Sequence, residues 1–365
     1  MAGAPKVLVL TPDFPPAHGG IQLVMDRLVR NWERVRPRVV TLAAACAGPE
    51  DDGKLDVVRA CPPAWLSHRS AVALLNIVAF AEGLRSAPDV ILSGHVNVSP
   101  AAVAVGRLLR VPVVQYLHGH EVVARPPLSR FALRSAAAVI AVSRYSAGLA
   151  VAYGADPART RRIPPGVDIV DRLGPARARC PTVVSVSRLE ERYKGHDVLM
   201  RAMPLVRSRV AGARLVLVGD GWLREAYVRL AAALELDGTV EFAGSVPDAD
   251  RDRILDSGHV FALTSRLPPE GGGEGFGIVY LEAGLHGLPV VAGNVAGALD
   301  AVVDGETGLL VDPTDHVSVA DAISRLLLDR ELAGALGREG ARRAREHAWP
   351  TIARRVEDFL LEVAA

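Results

Sequence analysis

Between Gly271 and Glu282 the chain reads Gly-Gly-Gly-Glu-Gly-Phe-Gly-Ile-Val-Tyr-Leu-Glu. Glycines let backbone amides approach an anion, and a helix opening at that point adds partial positive charge. Glu274 falls in the loop and Glu282 about two turns along the helix that follows. A loop carboxylate can accept hydrogen bonds from sugar hydroxyls, and a helix carboxylate from those of a ribose. Taken alone, the stretch also fits a helix cap followed by a solvated glutamate. A second cluster, Ser187-Arg188-Leu189-Glu190-Glu191-Arg192-Tyr193-Lys194-Gly195, follows an apolar run. Arg188 and Lys194 placed there could offset the charge that grows on a departing diphosphate. A solvated loop pairing its cations with its own glutamates is the plainer account.

Three further stretches carry weaker signals. Pro15-Pro16-Ala17-His18-Gly19-Gly20-Ile21 lies between a first strand and a first helix, where Gly19 and Gly20 could bring amides against phosphate. It lacks the G-x-G-x-x-G spacing of a dinucleotide-binding turn and equally suits a tight strand-to-helix connection. His118-Gly119-His120-Glu121 ends another strand. Alternate residues of an extended chain point oppositely, so a carbohydrate-contacting His118 and a structural His120 fit better than a zinc site. Val218-Gly219-Asp220-Gly221 and Gly244-Ser245-Val246 close two more strands. Gly219 is read there as a nucleotide or sugar contact, and Val246 as a backbone contact to a base. Arg27, Arg30, Arg34, Arg36 and Arg38 crowd the first helix and its exit beside Trp32. That cluster reads either as a solvated face or as a surface for anionic lipid.

The elements needed to hold these residues are legible as alternation. Residues 7–11, 38–42, 90–93, 113–117 and 139–142 are compact apolar runs bounded by turn residues, with helical patterns such as 21–36 and 101–109 between them. The rhythm pauses over the Pro- and Gly-rich residues 163–180. It resumes at 182–186, 214–218, 240–242, 260–264, 289–292 and 309–311. This predicts an α/β protein of two parallel-sheet, Rossmann-like domains facing each other across a cleft, with ligands at the carboxyl ends of the strands. The boundaries are residues 1–170 and 175–349, with a final helix at 351–365 completing the first domain.

The bulk composition adds exclusions. Net charge is +1, so no global basic field argues for nucleic acid. Lys6, Lys54 and Lys194 are the only lysines among 42 basic side chains, which singles out Lys194 as a compact ammonium. Cys46, Cys61 and Cys180 are widely spaced and read as buried thiols in a reducing compartment. Four apolar residues after Lys6 read as a strand rather than a signal peptide, and a cytoplasmic protein is expected.

Taken together, Glu274 and Glu282, the Ser187–Gly195 segment, Gly19-Gly20, the His118 strand end, Pro164-Pro165-Gly166-Val167-Asp168 and the Gly305–Pro313 stretch occur in an order that resembles glycosyltransferase family 4. These are the retaining enzymes of the GT-B fold. Pro12-Asp13-Phe14-Pro15-Pro16 and Gly275-Phe276-Gly277-Ile278-Val279-Tyr280-Leu281-Glu282-Ala283 look most like actinobacterial phosphatidylinositol mannosyltransferases. One residue more than the usual family spacing separates Arg188 from Lys194, and the loop Leu267–Gly273 departs from the family pattern.

The resemblance implies a metal-independent, retaining transfer of a hexose from a UDP- or GDP-sugar, with no cofactor. The acceptor would be a lipid, an oligosaccharide or a secondary metabolite such as an antibiotic, with weak contact to the inner face of the plasma membrane. Arg188 and Lys194 would stabilise the diphosphate, and Gly19 and Gly20 would contact it. Glu274 with Gly275, Phe276, Gly277 and Ile278 would hold the donor sugar, and Glu282 the ribose. His118 would line the sugar pocket, and Asp13 would meet the acceptor. A nucleotide-sugar 2-epimerase and a non-catalytic nucleotide-sugar binder are the competing readings on the same architecture.

Overall fold

The computed structural model describes residues 4–17, 19–43, 53, 55–169 and 177–365. It divides into two compact units. The first runs to Gly166 and includes Trp349–Ala365, and the second is Val167–Ala348.

The first unit is built on strands β1 (Lys6–Leu10), β2 (Arg36–Leu42), β3 (Asp56–Ala60), β4 (Val90–Ser93), β5 (Val113–Leu117), β6 (Ala138–Ala141) and β7 (Thr160–Arg162). They form one parallel sheet in the order β3-β2-β1-β4-β5-β6-β7. The central strands are runs of Val, Ile and Leu because both faces of a parallel sheet are covered by helices. Leu8, Leu10 and Ile91 are wholly buried against Leu75 and Val105 from the helices His68–Ser86 and Ser99–Leu109. The two strands that the sequence patterns did not reveal, β3 and β7, are the sheet edges. An edge strand is paired on one side only and can be short and polar, as Thr160-Arg161-Arg162 is, so it leaves no apolar run to detect.

The first helix, Gly20–Arg30, ends six residues before the expected Arg36, because Arg36 already pairs with Lys6 as the start of β2. The chain returns to this unit at its end. In the helix Trp349–Ala364, Trp349 is buried and leaves room at Gly166 for hydrogen only, since a β-carbon there would stand 2.5 Å from the indole. Further along, the buried Glu357 accepts the backbone amides of Glu33, Arg34 and Val35 at 3.0, 2.6 and 3.1 Å.

The second unit carries β8 (Thr182–Val186), β9 (Arg214–Val218), β10 (Val240–Gly244), β11 (Val260–Leu263), β12 (Val290–Gly293) and β13 (Gly308–Val311). They form a second parallel sheet, ordered β10-β9-β8-β11-β12-β13. Its core joins Val183, Leu215 and Val260 to Leu199, Met203 and Ile323 of the covering helices. No helix among the described residues is long and apolar enough to cross a membrane. Of the cysteines, Cys61 is exposed rather than buried and Cys180 is half-buried, while Cys46 and His18 lie outside the described residues. Cys61 directly follows the edge strand β3.

Candidate active site

In the second unit the residues read from the sequence as donor contacts lie after the carboxyl end of a strand or on the helix that follows. β8 leads into Ser187–Lys194, β9 into Gly219, β10 into Val246, and β11 into the glycine loop before the helix Ile278–Leu285. β10, β9, β8 and β11 are consecutive in the sheet, so their ends make a single row. Backbone proximity allows the loops to interlock. At Gly219 (φ 129°) a β-carbon would lie 1.9 Å from the Ser187 carbonyl oxygen. At Gly195 (φ 78°) it would lie 2.1 Å from the Thr264 carbonyl oxygen. Glycine alone satisfies both the conformation and the space.

Lys194 and Glu274 are brought together. The Nζ–Oε2 distance is 2.7 Å, with the side chains 14% and 13% exposed. Burial by itself would lower the Lys194 ammonium, but the Glu274 carboxylate outweighs it and holds the lysine above its ordinary value. The Tyr193 ring lies 5.2 Å from the same ammonium, and Ser265 Oγ is 3.5 Å from Glu274 Oε2. Arg188 is different. It is exposed and turned towards Glu191 (3.0 Å) and Glu190 (3.4 Å), a pairing in solvent that costs little to rearrange.

The helix Ile278–Leu285 opens from Gly277, held at φ 90°. The amides of Gly275, Phe276 and Gly277 find no acceptor among the described residues, which leaves a row of donors at a positive helix end. Tyr280 anchors the helix through Oη to the Leu263 carbonyl at 2.9 Å. Phe276 offers only its backbone, since its ring is buried against His347, with centroids 6.0 Å apart. Ile278 is half-buried at the first turn.

Glu282 stands apart from the Lys194 pair. Burial raises its carboxyl, the Arg251 guanidinium pulls it down, and Asp252, Asp248 and Asp168 push it up again. The helices that carry Arg251 and Glu282 are tied at their ends by Arg177. Its guanidinium donates to the carbonyls of Gly258 (2.7 Å), Gly287 (3.1 Å) and His286 (3.2 Å). These are among the C-terminal acceptors a helix cannot satisfy itself.

In the first unit Gly19 and Gly20 open the helix Gly20–Arg30 with no side-chain cap. Asp13 is tied to that helix by Gln22 Nε2 at 3.0 Å. His118 donates its backbone amide to Glu121 Oε1 at 2.6 Å, and its Nε2 lies 3.0 Å from the Gly94 carbonyl oxygen. Gly119 (φ 131°) turns the chain there into the helix His120–Ala124, so the strand does not continue through His120.

His95 was not identified from the sequence. It follows β4 as His118 follows β5, and its Nδ1 accepts the Asn97 amide at 3.0 Å. Burial lowers its pKa against the pull of Glu121 and Asp13. A histidine just past the carboxyl end of an apolar run was the available signal, and only His118 was read that way.

The arginines of the first helix do not form the basic surface considered from the sequence. Arg30 binds Asp26 at 2.6 Å, Arg34 binds Glu357 at 3.1 Å as well as Asp358, and Arg38 binds Glu82 at 2.9 Å. Trp32 beside them is buried. Arg30 is paired within its own helix, whereas Arg34 and Arg38 are paired with carboxylates distant in sequence.

Comparison with known proteins gives the family and the fold. Residues 180–329 match the family described as glycosyl transferases group 1, and residues 18–171 match Glycosyltransferase Family 4. The GDP-mannose-dependent alpha-(1-6)-phosphatidylinositol monomannoside mannosyltransferase of Mycobacterium tuberculosis is 35% identical over 97% of this chain and 98% of its own. The GDP-mannose-dependent monoacylated alpha-(1-6)-phosphatidylinositol monomannoside mannosyltransferase of Corynebacterium glutamicum is 30% identical over 99% of both. Among solved structures, sucrose-phosphate synthase from Thermosynechococcus elongatus superposes with a TM-score of 0.82 at 22% identity, covering 98% of this chain and 99% of that one. Anabaena HepE, in complex with UDP and glucose, does so with 0.78 at 23%, over 98% and 99%. With two parallel sheets of the GT-B kind and full-length relatives of this identity, the chain belongs to glycosyltransferase family 4.

Proposed function

We propose that this protein transfers mannose from GDP-mannose to a hydroxyl of a phosphoinositol-mannoside lipid, with retention at the anomeric carbon and without a metal. The observation that carries the reading is the Lys194–Glu274 pair beside the unfilled amides that open the helix Ile278–Leu285. Cation and amides suit a diphosphate, and the carboxylate suits sugar hydroxyls.

In the proposed step the bond from the anomeric carbon to the diphosphate oxygen breaks and its electron pair leaves with the GDP. The acceptor oxygen bonds to the same carbon from the same face and passes its proton to the departing phosphate oxygen. Lys194 and Arg188 then offset the charge that develops on the diphosphate. Glu282 holds the ribose, and Gly219 and Val246 line the nucleotide's path. To the first unit we assign Gly19 and Gly20 as phosphate contacts, His118 as a sugar contact, and Asp13 as the acceptor residue. The donor and acceptor named in the relatives at 35% and 30% identity support this choice of substrates.

A lipid acceptor is also supported by the helix His68–Ser86. Its outward residues Ala73, Ile77, Phe80, Ala81 and Leu84 are exposed, with Trp65 exposed just ahead of it. Arg69 and Arg85 flank this face, and the helix's one carboxylate, Glu82, bridges Arg38 (2.9 Å) and Arg85 (3.3 Å). An apolar stripe with cationic ends and a nearby indole suits the interface of an anionic bilayer, which we propose as its occupant.

The test is incubation with GDP-mannose and phosphatidylinositol mannoside in anionic vesicles, with and without EDTA, and with the product linkage read by NMR. An α-linked mannosyl lipid formed in chelator is expected. A β-linked product, metal-dependent turnover, or epimerised donor without transfer would each defeat the corresponding part of the proposal.

A further inference from the structure

Lys194 and Glu274 neutralise one another in a setting that makes their pairing consequential. The ion pair is 2.7 Å long and its two side chains are about one-seventh exposed. A buried charge that loses its partner is costly, because neither water nor another group replaces what it gave up. Among the cations facing the row of strand ends, Arg188 is more than half exposed and pairs with glutamates in solvent, so it can turn to a ligand at little expense. Lys194 can meet a diphosphate oxygen only by weakening its hold on Glu274. That carboxylate then keeps one weak neighbour, Ser265 Oγ at 3.5 Å.

Two ligands that share a diphosphate meet this arrangement differently. A nucleoside diphosphate takes the ammonium and gives the carboxylate nothing. A nucleotide sugar takes the ammonium and brings hydroxyls that donate to the carboxylate in its place. We infer that Glu274 competes with the diphosphate for Lys194, and so sets the site's discrimination between a sugar-bearing nucleotide and the bare nucleoside diphosphate left after transfer. This rests on the reading above that Lys194 meets the diphosphate. Its consequence for turnover is direct. Once the sugar has left, the carboxylate reclaims the ammonium and weakens the hold on the product.

Calorimetric titration of GDP and of GDP-mannose into the wild type and Glu274→Gln tests it. Glutamine keeps the shape and a carbonyl acceptor for sugar hydroxyls but removes the competing charge. GDP is expected to bind Glu274→Gln about tenfold more tightly, a change of about 1.4 kcal/mol, with no comparable gain for GDP-mannose. GDP affinity that is unchanged or weaker in a variant with a cooperative thermal transition overturns the competition, even if GDP-mannose binding falls. Should Glu274→Gln not fold, Glu274→Asp, which withdraws the charge by one carbon, is expected to strengthen GDP binding in the same direction, and its failure to do so also overturns the inference. A wild type that binds neither GDP nor UDP is a different outcome, and it defeats the underlying assignment of Lys194.

Discussion

The Lys194 ammonium and the Glu274 carboxylate, 80 residues apart in the chain, meet at 2.7 Å because two neighbouring loops are held together at glycine. Gly195 packs its α-carbon against the carbonyl of Thr264, and Arg266 donates its amide to the Tyr193 carbonyl at 2.7 Å. The loop carrying the cation is therefore stitched to the strand end that leads to the carboxylate.

Replacing Lys194 removes a mostly buried cation of this row. Lys194→Ala is expected to lower kcat/KM for mannosyl transfer by about 10²-fold or more, the range for deleting one stabiliser of developing charge. Steady-state kinetics beside a thermal melt checks this. Wild-type turnover in a folded variant would remove Lys194 from the reaction.

Glu282 makes a pH-dependent claim in which binding and stability move oppositely. Burial lifts its carboxyl above the ordinary glutamate value. The folded protein therefore holds this proton more tightly than the unfolded chain does, and stability from this group falls as pH rises through the window above about 4.5. In the proposed ribose-binding role the ionised form is the one that accepts the hydroxyls, so nucleotide affinity is expected to fall as pH drops through the raised value. Glu282→Gln should lose the acid-side dependence of nucleotide affinity and bind weakly at neutral pH, while melting no lower than the wild type. A variant that melts well below the wild type would indicate a structural role instead.

His196 supplies an acid-sensitive contribution to folding in the same unit. Its imidazole is buried, next to the Lys194 charge, and is held down to about 4, with Nε2 at 2.7 Å from Ser187 Oγ. A base with a lowered folded-state value stabilises fully above its free value near 6.5 and loses that contribution as pH falls towards about 4. Urea midpoints measured from pH 7 to 4 should fall more steeply in the wild type than in His196→Phe. Parallel slopes would show that this histidine does not govern the acid limb.

The two parallel sheets and the order of the motifs were legible because central strands of such sheets are compact apolar runs, rich in Val, Ile and Leu, bounded by turn residues. The edge strands β3 and β7 were not, since Thr160-Arg161-Arg162 carries no apolar signature. Within the site, the sequence showed Lys194 and Glu274 as separate candidates. That they pair depends on which strand ends are neighbours, β8 with β11, and no local pattern states this. The arginines near Trp32 read either as a solvated face or as a lipid surface, and the ion pairs of Arg34 and Arg38 were hidden for the same reason. Their partners Glu357, Asp358 and Glu82 come from elements distant in sequence, while the exposed apolar face belongs to another helix.

Glu357 gives a prediction for the first unit alone. It accepts three successive backbone amides and also binds Arg34 Nε at 3.1 Å, from a buried position. Glu357→Ala leaves those amides without their acceptor and is expected to cost about 3 kcal/mol. Denaturant unfolding followed by a probe in each unit should show the loss in the first unit. An unchanged midpoint there would mean that water replaces the carboxylate freely.

The return of Trp349–Ala364 to the first unit also bears on biosynthesis. A ribosome releases the residues of that first sheet long before it releases the helix that covers Gly166 and caps the turn at Glu33. The inserted second unit has all its strands available sooner and can close while its host still lacks a wall. A nascent chain stopped before Trp349 would leave the indole's slot at Gly166 unfilled.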